Sequence, residues 1–294
     1  MNLVLARATT VAVALALVAV LASCPRSRGG LPPGASARRI ISVSPATTEA
    51  LYAVGAGDRA VGRSKFCDWP REALALPVVG GFVNVDLEAV LQLQPDLVVG
   101  APGPTSGRLA EQLKNRGIAS WFPSIESFAA IDAMITGLGE RTSHEEDAHD
   151  VTRRIDAAAR AIEVALQQEP SPRVLVVLEV APVVAAGPHD FLDEMVHRAR
   201  AVNVLTDGAP WQTLGFEVIM QLDPDIIVDA SHVEGGSASV MTANAQGWKE
   251  VRAVREGHVV ALHDSTIIRP GPRVAQGLAA LARALHPGVA VPAP

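Results

Sequence analysis

Two distant segments of the chain carry the same pattern, and this repeat restricts the possible folds more than any other feature of the sequence. Residues 87–101 read LEAVLQLQPDLVVGA, and residues 216–230 read FEVIMQLDPDIIVDA. The shared polar and turn-forming residues are Glu88 and Glu217, Gln92 and Gln221, Pro95 and Pro224, and Asp96 and Asp225. Each copy has the pattern of a short amphipathic helix, a Pro-Asp turn and an apolar strand. A repeat of this kind predicts two similar lobes, and a cleft between lobes is a common place for a small ligand to bind.

The N-terminus is typical of an export signal. Residues 11–22 form an apolar stretch that is shorter than the roughly 20 residues a membrane-spanning helix needs. The stretch leads into Leu-Ala-Ser-Cys at 21–24, which resembles a bacterial lipobox, where the cysteine is lipidated and becomes the first residue of the mature protein. We therefore interpret residues 1–24 as a lipoprotein signal peptide with Cys24 as the lipidated residue; the alternative is an ordinary signal peptide that contains a cysteine. Residues 25–37 are rich in Gly, Pro, Ser and Arg, which predicts a flexible tether.

Charge and cysteine content exclude one class of partner and one kind of cross-link. The formal net charge is −6 at pH 7, whereas a nucleic-acid-binding protein needs a basic face. Beyond Cys24 the chain has one further cysteine, Cys67, so the mature protein can form no internal disulfide. Cys67 is then either a small buried residue or a thiol that lines the cleft.

Predicted strands and helices alternate along the mature chain, which indicates an α/β fold with mostly parallel sheets. One long stretch contains neither Gly nor Pro, its apolar residues follow a helical period, and Ser143 with Glu146 predicts a capping box at its start. A helix of that length would measure about 35–40 Å and would reach from one lobe to the other. The predicted organisation is an N-terminal lobe at 38–142, an inter-lobe helix at 143–170 and a C-terminal lobe at 171–288.

Signatures of catalysis are lacking from the sequence. It contains no nucleophile elbow, no His-Glu-x-x-His zinc motif and no phosphate-binding loop that ends in Lys-Ser or Lys-Thr. The glycines of residues 55–60 follow a predicted helix, whereas a dinucleotide-binding motif opens a helix after a strand. The eight histidines show no metal-ligand spacing. These observations favour a binding protein over an enzyme, with no cofactor and no metal site.

Several segments in combination identify a family. They are RIISVSPATTEALYAVGAGDRAVG at 39–62, CDWP at 67–70, GGFVNVDLEAVLQLQPDLV at 80–98, the second copy of the repeat, and HDSTIIRPGPR at 263–273. With these segments the chain resembles the solute-binding proteins of cobalamin, siderophore and haem ABC importers over residues 38–287, and it is most similar to the cobalamin-binding branch. The resemblance implies a class III solute-binding protein, in which two Rossmann-like lobes are joined by a single long, rigid helix.

The resemblance also gives the two repeated glutamates a role. Glu88 and Glu217 each lie in the first turn of a predicted helix, where the helix dipole alone stabilises a carboxylate by about 0.3–1 kcal/mol. In the family, one glutamate on each lobe pairs with arginines of the transporter's permease dimer. Because a symmetric pair of carboxylates fits a two-fold symmetric partner, we interpret Glu88 and Glu217 as permease-docking residues.

Three aromatic residues are the candidates for the apolar part of the ligand site. In the family, aromatic residues at the positions of Phe66, Phe82 and Trp211 line the pocket. A large, flat macrocycle buries much apolar area, and aromatic faces match its shape. The alternative is that the two phenylalanines are core residues and that Trp211 anchors a loop.

Polar ligand contacts are expected from the segment that follows the last predicted strand. Arg269 matches a family position that contacts the ligand, and a guanidinium suits a propionamide carbonyl or the nucleotide phosphate of cobalamin. Asp264 and Ser265 lie where the family has a further polar contact. An anionic siderophore would instead call for clustered basic residues, which Arg63, Lys65 and Arg269 would supply.

The expected ligand is cobalamin or another corrinoid. A ferric siderophore or haem is the nearest alternative, and a lipid-anchored enzyme on the same scaffold is a more distant one. Haem capture in the family commonly uses a tyrosine or histidine as an iron ligand, whereas the only tyrosine, Tyr52, falls within a predicted core helix. The expected partners are an ABC permease dimer, a small-molecule ligand and, through Cys24, a membrane. We expect a monomer in the periplasm or on the outer face of the cytoplasmic membrane, with no nucleic-acid partner.

Overall fold

The computed structural model describes residues 36–231, 239–262 and 264–294. The predicted signal peptide, the proposed lipidation site Cys24 and all but the last two residues of the predicted tether lie outside these ranges. The helices are α1 (Pro45–Ala53), α2 (Leu87–Gln92), α3 (Ser106–Lys114), α4 (Phe128–Thr142), α5 (Glu145–Leu166), α6 (Phe191–Arg198), α7 (Phe216–Leu222), α8 (Arg252–Arg255) and α9 (Val274–Leu285). The strands are β1 (Ile40–Ser42), β2 (Ala60–Arg63), β3 (Leu97–Val99), β4 (Ala119–Trp121), β5 (Arg173–Val180), β6 (Val183–Ala186), β7 (Val202–Asn203), β8 (Trp211–Leu214), β9 (Ile226–Asp229) and β10 (Val259–Ala261). None of the helices in the described ranges has the length and apolar composition that crossing a membrane requires.

The N-terminal sheet is parallel throughout, with the strand order β2-β1-β3-β4. β1 lies inside the sheet, where Ile41 pairs with Gly62 on one side and with Val98 on the other. Every residue of β1 and β3 is buried, as expected for the apolar strands of a parallel sheet that is covered on both faces. The carboxyl ends of these strands therefore meet at one edge of the lobe.

The C-terminal sheet is mixed, because a hairpin extends its parallel part. Its order is β10-β9-β5-β6-β8, and β7 also pairs with β5. β5 pairs in parallel with β7 and β9, whereas β6 is antiparallel to both β5 and β8. β6 and β8 have four residues each, too short an alternating pattern for the sequence to separate a strand from a loop. The predicted two-lobed α/β architecture is confirmed.

The two copies of the repeat form the same unit in the two lobes. α2 leads through its Pro-Asp turn into β3, which pairs with β1, and α7 leads through the second turn into β9, which pairs with β5. The carboxylate of Asp96 accepts hydrogen bonds from the backbone N–H groups of Arg38 and Arg39, at 2.8 and 3.1 Å. The carboxylate of Asp225 accepts one from the N–H of Arg173 at 3.0 Å. Each repeated aspartate thus secures the first strand of its own lobe.

The inter-lobe helix α5 begins at Glu145, and the predicted capping box of Ser143 and Glu146 is wrong. Ser143 adopts a left-handed conformation, with φ 53°, that ends α4. The N–H of His144 bonds to the carbonyl of Gly139, and His144 is the N-cap residue of α5. Ser143 therefore belongs to the end of the preceding helix. α5 runs for 22 residues, about 33 Å, and packs against α4 and α9.

One hydrophobic core continues through both lobes. It contains Leu51 and Ile135 from the N-terminal lobe, Ile162 from α5, and Val176 and Leu278 from the C-terminal lobe, all nearly or fully buried. Two smaller clusters accompany it, one in each lobe. Because apolar burial contributes roughly 25 cal/mol per Å², this shared core joins the lobes by packing as well as by the connecting chain.

Candidate functional site

An open cleft with a volume of about 420 Å³ lies between the two lobes. Segments that follow β1, β3 and β4 form its N-terminal wall, and segments around the starts of α6, β8 and α9 form the opposite wall. The lining residues are Ser44, Pro45, Ala46, Phe82, residues 101–104, Ile125, Glu126, Asp190, Phe191, Trp211 and residues 268–270. The volume falls within the roughly 300–1,000 Å³ of small-molecule sites, and ligands of open α/β folds bind outside the carboxyl ends of strands. This cleft is therefore the candidate ligand site.

Hydroxyl groups hold the N-terminal wall in place at the end of β1. The Ser44 side chain caps α1 by accepting a hydrogen bond from the N–H of Thr47 at 3.4 Å, and Pro45 fills the first helical position. Thr48 Oγ1 donates to the hydroxyl of Ser42 at 2.7 Å. These hydroxyl groups are buried and satisfy one another, so the network fixes the turn that carries the lining residues.

Phe82 reaches the cleft from a tight turn that needs glycine. Gly80 has φ 111°, a conformation that residues with a side chain rarely adopt. The Phe82 ring packs on Gly103 in the loop after β3, where a Cβ would lie 2.7 Å from the ring. Phe66 does not line the cleft; it is 49% exposed, and its ring lies 3.5 Å from where a Cβ on Gly81 would be. The structure thus brings Phe82 to the cleft wall and leaves Phe66 at the surface beside the same turn.

The C-terminal wall carries a buried carboxyl group that the sequence analysis did not single out. Asp190 caps α6 by accepting a hydrogen bond from the N–H of Phe191 at 2.6 Å, and it is 7% exposed. Burial raises the pKa of Asp190, and the negative charges of Glu126 and Asp193 raise it further. Trp211, the first residue of β8, lines the same wall and is 56% exposed. The C-terminal wall therefore combines an aromatic side chain with an acidic group.

Arg269 lies in the cleft, where carboxylates of the opposite lobe bind it. Its Nη2 donates to Oδ2 of Asp68 at 3.0 Å, its Nη1 donates to the other oxygen of that carboxylate, and Nη1 also lies 3.3 Å from Oε1 of Glu49. Arg273 donates to Glu49 through two nitrogens, at 2.7 and 2.9 Å. The guanidinium carbon of Arg273 lies 4.6 Å from the centre of the Trp69 ring, a cation–π contact. We call these two arginines and two carboxylates the cross-lobe cluster.

The two carboxylates of the cross-lobe cluster differ in environment. Hydrogen bonding to Arg269 lowers the pKa of Asp68. The side chain of Glu49 is only 2% exposed, and removing one partner of a buried ion pair costs about 3–5 kcal/mol. Sequence reasoning missed the ionic role of both residues, because partners some two hundred positions away leave no local pattern.

Asp264 and Ser265 do not line the cleft. The Asp264 carboxylate accepts a hydrogen bond from the N–H of Thr266 at 2.8 Å, an arrangement in which an aspartate closes a turn of its own chain. Their contact with the ligand stays a prediction from the resemblance.

Cys67 is completely buried, with its sulfur 3.2 Å from the hydroxyl of Ser64. Of the two roles that the sequence left open for this thiol, the small buried residue is confirmed. Among the residues that the structure describes, no group of three or more His, Cys, Asp or Glu side chains is arranged to hold a metal ion.

Glu88 and Glu217 occupy corresponding places on the two lobes. Each is exposed in the first turn of its helix, α2 or α7. Because each helix turns back through a short Pro-Asp turn into a parallel strand, its first turn lies at the carboxyl-end edge of the sheet, the edge that faces the cleft. Each of the two carboxylates therefore lies at the carboxyl-end edge of the sheet in its own lobe.

Comparison with known proteins gives consistent matches along most of the chain. Residues 40–266 match the periplasmic binding protein family. The chain is 29% identical over 261 residues to the uncharacterized ABC transporter substrate-binding lipoprotein YvrC of Bacillus subtilis (strain 168), with 85% of this chain and 80% of that protein covered. It is 27% identical over 243 residues to the vitamin B12-binding protein of Yersinia pestis (strain Pestoides F), with 82% and 84% covered. A periplasmic haem-binding protein from Pseudomonas aeruginosa superposes with a TM-score of 0.76 at 26% identity, over 87% of this chain and 95% of that one.

Proposed function

The chain belongs to the periplasmic binding protein family, and from this membership we propose that it captures a corrinoid, such as cobalamin, in the inter-lobe cleft and delivers it to an ABC importer. Members of this family are substrate-binding proteins and not enzymes, so the molecule that occupies the site is a transported ligand rather than a cofactor. One relative binds vitamin B12 and one structural neighbour binds haem. The choice of a corrinoid therefore rests on the cleft itself.

The charges of the cleft favour a ligand that is rich in hydrogen-bond donors and carries little negative charge. The ionisable side chains among the described lining residues are Glu126, Asp190 and Arg269. Asp68 and Glu49 neutralise Arg269, and no other described cation lines the cleft beside the two acidic groups. Carboxyl groups accept hydrogen bonds from amide N–H groups, and a corrin ring bears amide side chains around its edge. This charge pattern is the observation that carries the proposal.

The shape of the site favours a large, flat ligand. Phe82 and Trp211 line opposite walls of the cleft, and aromatic rings can stack on planar ring systems. A corrinoid is larger than the 420 Å³ of the cleft, so part of it would rest against the rim, where Trp211 and Phe66 already expose half of their surface. Covering these side chains would stabilise the complex by about 25 cal/mol per Å² of apolar surface.

Haem is the second candidate, favoured by the similarity to the haem-binding structure, and ferric siderophores are the third. Haem carries two propionates and many ferric siderophores are anionic, and neither would meet an unpaired cation on the described walls. Neither tyrosine nor histidine is among the described lining residues; the ring of Tyr52 instead packs on Gly57. Both features support the corrinoid over these alternatives.

Delivery requires a place at the membrane and a surface for the transporter. On this proposal Cys24, which lies outside the described residues, carries the lipid and holds the protein on the outer face of the cytoplasmic membrane. The name of the Bacillus relative describes that protein as a lipoprotein. Glu88 and Glu217 then face the two halves of the permease dimer. Ion pairs at the rim of an interface mainly set encounter rate and register, so docking should weaken as salt rises.

Titration of the purified mature protein with aquocobalamin, haem and a ferric hydroxamate siderophore tests the proposal. We expect aquocobalamin to quench tryptophan fluorescence, with a smaller response in Trp211→Phe because this indole lies in the cleft. Trp121→Phe is the matched control, since Trp121 packs on Arg141 with 3.9 Å between the guanidinium carbon and the ring centre and does not line the cleft. Tight haem uptake without any response to aquocobalamin would overturn the proposal.

A further inference from the structure

Arg269 is bound by two carboxylates that differ sharply in exposure. The side chain of Glu49 is 2% exposed, that of Asp68 is 55% exposed, and that of Arg269 is 16% exposed. Glu49 is in addition held by two hydrogen bonds from Arg273. Arg269 thus has one fixed partner on the protein side and one partner that faces water.

We propose that Asp68 is a specificity-determining residue, which occupies the outward-facing nitrogens of Arg269 and so keeps anionic ligands from binding in the cleft. A carboxylate or phosphate of a ligand would offer a guanidinium the same pair of oxygens that Asp68 offers. Ligand and Asp68 therefore compete for the same donors. The inference rests on the proposed function only in taking the cleft as the ligand site.

Asp68, and not Glu49, is the partner that an anion would have to displace. Displacing Glu49 would mean moving a buried carboxylate that Arg273 also holds, and breaking up a buried ion-pair network is strongly unfavourable. Displacing Asp68 releases a carboxylate that water already reaches, and exposed ion pairs contribute little. The competition is thus confined to the side of Arg269 that the exposed Asp68 covers.

The loop that carries Asp68 is held rigidly, which makes Asp68 an effective competitor. Nη1 of Arg63 donates to the carbonyls of Ser64 and Cys67, both at 3.1 Å, and Cys67 is fully buried. A carboxylate that is positioned in advance loses little entropy when it binds. These contacts also engage Arg63, which the sequence offered as a basic residue for an anionic siderophore.

Binding of citrate to the mature protein, measured by isothermal titration calorimetry, tests the inference. Citrate is a tricarboxylate small enough for the cleft. In Asp68→Asn we expect its affinity to rise about fivefold, the size of an exposed ion-pair effect, and to fall again with added salt. Glu126→Gln is the matched control, because it removes one negative charge from the cleft wall but leaves Arg269 paired; its gain should be clearly smaller. Adding Arg269→Gln to Asp68→Asn should abolish the gain.

Two outcomes would overturn the inference: no gain in Asp68→Asn, or the same gain in Glu126→Gln. If Asp68→Asn melts well below the wild type, Asp68→Ser provides the same comparison. Titration of the wild type with aquocobalamin distinguishes a failure of the role proposed for Asp68 from a failure of the corrinoid proposal. A citrate gain without corrinoid binding supports the role of Asp68 and refutes the corrinoid, whereas corrinoid binding without a citrate gain does the reverse.

Discussion

At the start of its repeated helix, the N-terminal lobe has Asp86, whereas the C-terminal lobe has Gly215. The Asp86 carboxylate accepts hydrogen bonds from the N–H groups of Glu88 and Ala89, at 2.9 and 3.1 Å. No side chain caps α7. Glu88 and Glu217, which we propose as docking residues, therefore lie on corresponding helices of which only the first has a side-chain cap.

The turns that follow the two helices differ in a second way. Asp96 bonds to two backbone N–H groups, whereas Asp225 bonds to one and to Nη2 of Arg252 at 3.0 Å. Arg252 pairs with Asp223 as well, at 2.7 Å. Both copies share the hydrogen bond from the backbone at the start of the lobe's first strand to the repeated aspartate, Asp96 or Asp225. This aspartate is one of the residues that are identical in the two copies. The remaining contacts are particular to each lobe.

The largest effect is expected from removing both of the carboxylates that we propose dock the permease. Glu88→Ala together with Glu217→Ala should abolish import and leave ligand affinity unchanged, because neither side chain lines the cleft. Uptake by cells that carry the cognate transporter, together with fluorescence titration of the purified variant, measures the two quantities. The single variants show whether the lobes contribute equally, and Glu111→Ala, an exposed glutamate of α3, is the control. Equal loss of import and affinity in the double variant would refute the docking role.

The next largest effect is expected from substituting the repeated aspartates, Asp96 and Asp225. Asp96→Ala removes two charge-assisted hydrogen bonds to the backbone and should lower the free energy of unfolding by about 1–2 kcal/mol. Asp225→Ala should cost less, about 1 kcal/mol, because much of its bonding is an exposed ion pair. Urea denaturation gives both values, with Asp132→Ala on the exposed face of α4 as control. A larger loss for Asp225→Ala would contradict this ranking of the two lobes.

Substitutions at the N-cap positions of α2 and α7 should change the stability of the protein in opposite directions. Asp86→Ala should destabilise the protein by about 1 kcal/mol through the loss of a cap. Gly215→Ser should stabilise it by a few tenths of a kcal/mol, because Gly215 has an extended backbone with φ −85° and open space where a Cβ would lie. Melting temperatures of the two variants measure the effects. A destabilised Gly215→Ser protein would show that the second helix is held by something other than its cap.

The smallest effect is expected on the overall dimensions. The radius of gyration from small-angle scattering should be the same with and without aquocobalamin, because a single packed helix is a stiffer link than paired flexible strands. A clear compaction on binding would show that the two lobes move as separate bodies.

Much of the architecture is predictable from the sequence because its signals are local. The periodicity of the repeat and the long stretch without Gly or Pro indicate two lobes and a connecting helix. The end of α4 is not predictable in this way. Serine is a common N-cap residue, but Ser143 ends α4, because it adopts a left-handed conformation and the N–H of His144 bonds to the carbonyl of Gly139. The strands β6 and β8 likewise owe their formation to pairing within the sheet.

The residues of the candidate site also fall into two groups, those that the sequence indicated and those that it did not. The resemblance placed Phe82, Trp211 and Arg269 in the cleft, and all three lie there. It did not indicate Asp190 or Asp68, whose importance depends on burial and on an ion pair between lobes. The burial and the ion pairing of such residues depend on side chains that are distant in the sequence, so a single sequence does not reveal them.

The hydrophobic core that runs through both lobes has a consequence for recognition by the importer. Swinging the lobes apart would expose side chains such as Leu51 and Leu278 to water, so we expect the outline of the molecule to be nearly the same with and without ligand. A transporter that contacts only Glu88 and Glu217 would then be unable to distinguish the loaded protein from the empty one. We expect the bound ligand, where it protrudes from the cleft, to be part of the surface that the transporter recognises.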